Sequence, residues 1–134
     1  MFAKDLEYLL AECCQQSDVS PVDAADIATR FHSLRGYGKL PRGRENRARR
    51  LTTGEIAATI FGLVPVKPNW AGHAAVILGH LRPVGGAGAS FHRASSLTAA
   101  VESLLTDRPA RDGFLTLTLS VAERFTNSSG SATL

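Results

Sequence analysis

Residues 51–82 read LTTGEIAATIFGLVPVKPNWAGHAAVILGHLR, and this stretch decides the expected fold. Thr52 and Glu55 stand three residues apart near its start. That is the spacing of a capping box, in which each side chain binds the other residue's backbone amide. The apolar residues that follow recur at helical spacing, and they predict a helix that ends at Pro65.

A second helix is predicted from about Trp70 to Arg82, with Asn69 as its N-cap. Its buried stripe is expected to consist of Trp70, Ala74, Ile77, Leu78 and Leu81. A face of small residues lies opposite, formed by Ala71, Gly72, Ala75 and Gly79. Such a face lets another backbone come close, whether that of a helix or that of a nucleic acid.

Upstream of this stretch, apolar periodicity predicts two more helices. The first covers about Ala3 to Gln16. Ser20 and Pro21 are typical of an N-cap and a first helical position, so the second helix is expected to begin there and to end at Gly36. Asp23 would then lie in its first turn.

Downstream, Ser96 is predicted to open a fifth helix that ends near Pro109. The glycine-rich segment 84–90 before it is typical of a connector. After Gly113, apolar residues alternate with Thr and Ser, and turn residues 127–130 lead toward a returning strand. The sequence stops in mid-hairpin, and we expect it to be a fragment of a longer protein.

These elements predict a mainly α fold in one domain, residues 1–134. It is a compact bundle of four or five short helices that contains a helix-turn-helix-like pair and carries a C-terminal β-hairpin, with α+β as the alternative class. Hydrophobic residues make up 44% and charged residues 20%, which is typical of a globular chain. No apolar run approaches the roughly 20 residues that span a bilayer, and a cytoplasmic location is expected.

Positive charge is concentrated in residues 35–50, which we call the basic segment. It holds seven cations and one acid, a net charge of +6, whereas the whole chain carries +3. After Gly36 it has no apolar period and three Gly or Pro breakers, Gly38, Pro41 and Gly43, so a mobile loop is expected. Arginine matches the geometry of phosphate groups, so a localised anionic partner is favoured, with RNA or an acidic protein as alternatives to DNA.

The run Leu51 to Ala58, followed by Ile60 to Leu63, resembles the first helix and turn of bacterial helix-turn-helix and winged-helix regulators. The resemblance implies that the helix 69–82 is a recognition helix and that the C-terminal strands form a wing. It implies a DNA-binding transcriptional regulator of bacterial or phage type. The expected DNA-binding residues are Arg42, Arg44, Arg47, Arg49, Arg50, Thr52, Asn69, His73, His80 and Arg82. A homodimer, formed through the first helix or the hairpin, is expected if the target repeats a half-site.

The alternative is a non-enzymatic protein-interaction domain, such as a regulator or phage assembly factor. It would use the small-residue face of the fourth helix or an open hairpin edge. No catalytic residue, metal site or cofactor is expected. His73 and His80 lack a third ligand nearby in sequence, and Cys13 and Cys14 are adjacent, which suits core packing better than a disulfide.

Overall fold

The computed structural model describes residues 1–15, 23–42, 49–85, 91–113, 116–121 and 130–133. The helices of this part of the chain are α1 Ala3–Gln15, α2 Ala24–Gly36, α3 Thr53–Phe61, α4 Ala71–Gly79, α5 Leu97–Thr106 and α6 Arg108–Asp112. Two 3-10 turns, Pro68–Trp70 and Phe91–Arg93, precede α4 and α5. The strands are β1 Thr118–Val121 and β2 Gly130–Thr133, paired antiparallel with Thr118 opposite Thr133. The predicted mainly helical bundle is confirmed, and the two short C-terminal strands pair antiparallel.

Two helix starts follow the predicted chemistry. The Thr52 hydroxyl accepts from the Glu55 amide at 3.2 Å, and the Thr52 amide donates to the Glu55 carboxylate at 2.8 Å. The capping box of α3 is therefore complete. At α5 the Ser96 hydroxyl accepts from the Ala99 amide at 3.2 Å, as expected of an N-cap.

The start of α2 and the number of helices differ from the prediction. The N-cap of α2 is Asp23, whose carboxylate accepts from the Asp26 amide at 2.8 Å, while Ser20 and Pro21 lie outside the described residues. The helix count also exceeds the predicted four or five. Helix α5 ends at Thr106, and Pro109 then lies in the first turn of α6, where a missing amide hydrogen has no cost.

Helix α4 lies at the centre of the bundle and packs against α2, α3 and α5. Five of its nine residues are buried: Ala71, Gly72, Ala74, Ala75 and Leu78. The largest fully buried side chains around it come from α2 and α3 and include Phe31 and Phe61. The predicted small-residue face therefore meets helices of the same chain.

The connection between α3 and α4 runs from Gly62 to Trp70 and is held by a buried arginine of α2. The Arg30 guanidinium donates to the carbonyls of Gly62 at 3.0 Å and Pro65 at 2.6 Å, and a third bond reaches Val66. Its Nε donates to Asp26 one turn earlier. Arg30 is only 4% exposed, so its charge is satisfied by this ring of oxygens.

Asn69 does not cap α4. It lies inside the 3-10 turn, and the residue before α4 is Trp70, which makes no side-chain capping bond. The Asn69 carbonyl instead accepts from the Ser33 hydroxyl at 2.7 Å, and the same hydroxyl accepts from the Gly72 amide at 3.0 Å. The Ser33 hydroxyl of α2 thus provides a hydrogen-bond partner for a free backbone amide in the first turn of α4. Asn69 was expected to fill this role.

Candidate nucleic-acid interface

The structure distributes the ten expected DNA-binding residues over several places. Arg44 and Arg47 lie outside the described residues. The others are Arg42 after α2, Arg49, Arg50 and Thr52 before α3, Asn69 and His73 at the start of α4, and His80 and Arg82 after its end. At a rise of about 1.5 Å per residue, the two ends of α4 lie about 13 Å apart. The four candidates near α4 are therefore divided between its two ends, and only His73 lies within the helix.

Both flanks of the arginine-rich part of the basic segment are fixed to the bundle. Leu40 and Leu51 are buried core residues on either side of it. The backbone of Arg50 pairs with that of Phe2, and the Leu51 amide donates to the Met1 carbonyl at 2.8 Å. Arg42 and Arg50 therefore each lie within two residues of a buried anchor point.

Arg42 lies at the C-terminal end of α2. Its Nε donates to the Arg35 carbonyl at 3.2 Å and its guanidinium reaches the Gly36 carbonyl at 3.4 Å. A cation at this end of a helix complements the negative pole of the helix dipole. Arg42 is exposed, so solvent competes for both bonds and the guanidinium is accessible to a second ligand.

Arg49 is occupied by a carboxylate of α3. Its two terminal nitrogens bind the two oxygens of Glu55, with Nη1 at 3.0 Å from Oε2. The hydrogen bonds from Arg49 are the main cause that lowers the pKa of Glu55, assisted by the Thr52 amide and opposed by partial burial. The pair joins the basic segment to the capping box, so Arg49 is less available to an anion than its neighbours.

Arg42 and Arg50 have no carboxylate partner in the part of the chain that the structure describes. The ion pairs found there join Arg30 to Asp26, Arg49 to Glu55 and Arg108 to Asp112. Arg42 and Arg50 are both exposed. Cations that are exposed and unpaired keep their full charge for an external partner.

Helix α4 exposes no residue. Its four residues that are not buried are half-buried, and the imidazole of His73 lies edge-on between the rings of Tyr37 and Trp70. His80 and Arg82 are exposed but follow the end of the helix. A groove-facing role for α4 does not fit this burial, because a recognition helix must present one whole face to the bases.

The sequence already contained the sign that α4 is interior. Residues 71–79 read AGHAAVILG and include no charged side chain. A helix that is apolar or small all round is a buried helix, whereas a surface helix has one polar face.

Helix α2 presents the kind of face that α4 lacks. Its exposed positions are Ala24, Ala25, Ala28, Thr29, His32 and Gly36. Thr29, His32 and the half-buried Arg35 recur every three residues and so form one row of hydrogen-bonding side chains. Asp26 is turned away toward Arg30, and this row holds no acid. Sequence reasoning missed the row because it noted only the apolar stripe of this helix.

Comparisons with protein-family models, with curated proteins and with solved structures found no match. Within the described residues, no three side chains of His, Cys, Asp or Glu come together as metal ligands would. None of the described helices combines the length and apolar character that crossing a membrane requires.

Proposed function

We propose that this chain binds double-stranded DNA, with the basic segment on the phosphates and the exposed face of α2 toward the groove. The observation that carries the proposal is the pair of exposed, unpaired arginines, Arg42 and Arg50, held at the two ends of a stretch that also contains Arg44 and Arg47. Arginines fixed in this way can contact successive phosphates without first ordering the whole chain.

Helix α2 supports the proposal because the basic segment continues directly from its C-terminal end. The row of Thr29, His32 and Arg35 offers donors and acceptors for base edges, and the small residues beside it let the helix come close to a groove. A role in transcriptional regulation would follow if binding is specific for one site.

The alternative, a protein-interaction domain, was expected to use either the small-residue face of α4 or the hairpin edge. The packing around Gly72 does not favour the first of these surfaces. A Cβ added at Gly72 would lie 2.3 Å from Cδ2 of Tyr37 and 2.7 Å from the Ser33 carbonyl oxygen. The small-residue face is thus closed by α2 and its C-terminal residue. Binding through the hairpin edge stays a prediction.

The test measures the affinity for random-sequence duplex DNA, by fluorescence anisotropy at several salt concentrations. We expect the triple substitution of Arg42, Arg47 and Arg50 to Ala to weaken binding by about tenfold or more at low salt. Each lost phosphate contact should reduce the slope of log affinity against log salt by about 0.9. The proposal fails if the unchanged chain does not bind DNA at low salt.

A matched control removes three exposed cations elsewhere, by changing Arg82, Arg93 and Arg108 to Ala. Net charge falls equally in both variants, so nonspecific attraction predicts equal losses. A local interface predicts that the control retains most of the affinity and nearly all of the salt slope. Equal losses in the two variants would reject the basic segment as the binding surface.

The role of α2 is tested separately, on the duplex that binds best after selection from a random pool. Thr29→Ala and His32→Ala should each reduce preference for that duplex by about fivefold or more, with little change on random DNA. His80→Ala is the control, since His80 is exposed beyond the end of α4. If only His80→Ala reduced the preference for the selected duplex, the residues that follow α4, and not α2, would face the groove.

A further inference from the structure

The N-terminal residues, including the start of α1, carry a large share of the exposed apolar side chains. Eight large apolar side chains are exposed in the described part of the chain, and four of them lie within the first nine residues: Met1, Phe2, Tyr8 and Leu9. Tyr8 is the extreme case on this helix, with 76% of its surface exposed. Exposed apolar side chains concentrated in this way often mark an interaction surface.

Helix α1 is attached to the bundle by one side. Leu6 is buried, and Ala3, Leu10 and Cys14 pack against the core cluster. The opposite side exposes Lys4, Asp5, Tyr8, Leu9 and Glu12, and the Asp5 carboxylate accepts a hydrogen bond from the Phe2 amide at 3.1 Å. This side is neither a purely polar solvent face nor part of the core, because aromatic and aliphatic side chains lie among the charges.

Two of the three charges on this side, Lys4 and Glu12, lie symmetrically about Tyr8. Lys4, Tyr8 and Glu12 are spaced four residues apart and form one ridge along the helix. Lys4 and Glu12 lie about 6 Å along the axis on either side of Tyr8. If a second α1 runs antiparallel across a twofold axis at Tyr8, Lys4 of each copy faces Glu12 of the other.

We propose that α1 pairs antiparallel with α1 of a second copy of this chain, around a twofold axis beside Tyr8. A second copy fits better than an unrelated helix, because the ridge is complementary to itself in charge and places its aromatic residue at the centre. In such an isologous contact each residue is used twice, so two reciprocal ion pairs frame two tyrosine rings. The contact of one helix with another is small, so the dimer should dissociate on dilution.

The first test is sedimentation equilibrium of the chain without DNA, from micromolar to submillimolar concentration. We expect a monomer–dimer equilibrium that Tyr8→Glu weakens by at least about tenfold, since aromatic residues at the centre of an interface dominate its affinity. Val84→Glu is the control, because Val84 is 98% exposed and lies outside α1. Circular dichroism melting confirms that both variants stay folded.

The second test exchanges the two charges. Lys4→Glu places two acids opposite each other and Glu12→Lys places two cations opposite each other, so each single variant should weaken the dimer by about tenfold. The double variant restores opposite charges across the axis and should recover most of the affinity. Asp112→Lys, at an exposed position of α6, is the control for the gain of two positive charges in Glu12→Lys.

Three results would overturn the proposal. The chain could be monomeric at every concentration, the dimer could survive Tyr8→Glu while Val84→Glu dissociates it, or the double variant could be no better than the singles. A chain that is always monomeric does not self-associate. A dimer that depends on Val84 and not on Tyr8 forms through another surface. A double variant no better than the singles rules out the antiparallel register. None of them bears on DNA binding, which is measured on dilute protein.

Discussion

Arg30 and Arg42 both donate to main-chain carbonyls at the ends of helices, but they lie in different environments. Arg30 is inside the bundle, where its guanidinium binds carbonyls of the α3–α4 connection and the carboxylate of Asp26. Arg42 is on the surface, where its two carbonyl bonds compete with water. A buried guanidinium and its acceptors depend on each other, whereas an exposed one can exchange its acceptors for a ligand at little cost.

The largest expected effect comes from Arg30→Met. The substitution keeps much of the side-chain volume but leaves the buried Gly62 and Pro65 carbonyls without their donor. We expect the free energy of unfolding to fall by about 3 kcal/mol, since an unsatisfied buried acceptor loses its full solvation. Urea unfolding followed by circular dichroism measures it.

Arg42→Met is the matched control, with the same substitution and a similar pair of carbonyls. Because the site is exposed, the cost should be about 0.5 kcal/mol. Similar losses at the two positions would mean that burial does not distinguish them. The comparison would then lose its physical basis.

A smaller effect is expected at the contact of α2 with α4. Gly72→Ala puts a methyl group against the Tyr37 ring and the Ser33 carbonyl, which cannot move without shifting the α2 backbone. We expect a loss of about 1–3 kcal/mol in thermal or urea unfolding.

Gly54→Ala in α3 is the control for Gly72→Ala. Its nearest neighbour would be a Glu102 oxygen at 3.5 Å, an ordinary contact. Helix propensity then favours alanine, so stability should be unchanged or higher by up to about 1 kcal/mol. If both variants lose stability equally, the close approach at Gly72 is not the cause.

The smallest effect concerns the pH dependence at the Arg49–Glu55 pair. The pKa of Glu55 is lowered in the folded chain, so the ionised carboxylate stabilises the fold above its unfolded pKa of about 4.3 and ceases to do so as pH falls through the folded value. Glu55→Gln keeps the capping bond but removes the charge. Because Arg49 is 54% exposed, we expect less than about 1 kcal/mol at pH 7.

Urea midpoints at pH 7 and pH 3 measure this difference. The urea midpoint of the wild type should exceed that of Glu55→Gln at pH 7, and the gap should narrow toward pH 3, because protonation of the carboxylate removes its charge. A gap that is equal at both pH values would indicate that the substitution disturbs the cap itself rather than its charge.

The sequence predicted best where the chemistry is local. The caps at Thr52 and Ser96 need only a hydroxyl before an apolar run, and both are confirmed. The start of α2 was wrong because Ser20 and Asp23 are both good N-caps, and only the bond to the Asp26 amide distinguishes them. Asn69 was wrongly predicted to cap α4. The hydroxyl of Ser33, which is far away in sequence, binds the Asn69 carbonyl and the Gly72 amide at this turn.

The candidate interface was only partly predictable, because it depends on burial. The charges of the basic segment follow from composition, but the pairing of Arg49 with Glu55 and the exposure of Arg50 depend on the fold. In the structure Arg30 lies on the buried face of α2 with Ile27, Phe31 and Leu34, which the sequence analysis did not predict. An arginine on an apolar stripe indicates buried carbonyls nearby, although it does not identify them.

The two leucines that flank residues 41–50 have a consequence for how this protein could vary. With Leu40 and Leu51 both buried, the ends of the stretch are fixed whatever path lies between them. The entropy of closing such a stretch grows only with the logarithm of its length, by about 0.6 kcal/mol for each doubling. Residues inserted or deleted between the anchors would change the reach and spacing of the arginines at little cost to the bundle.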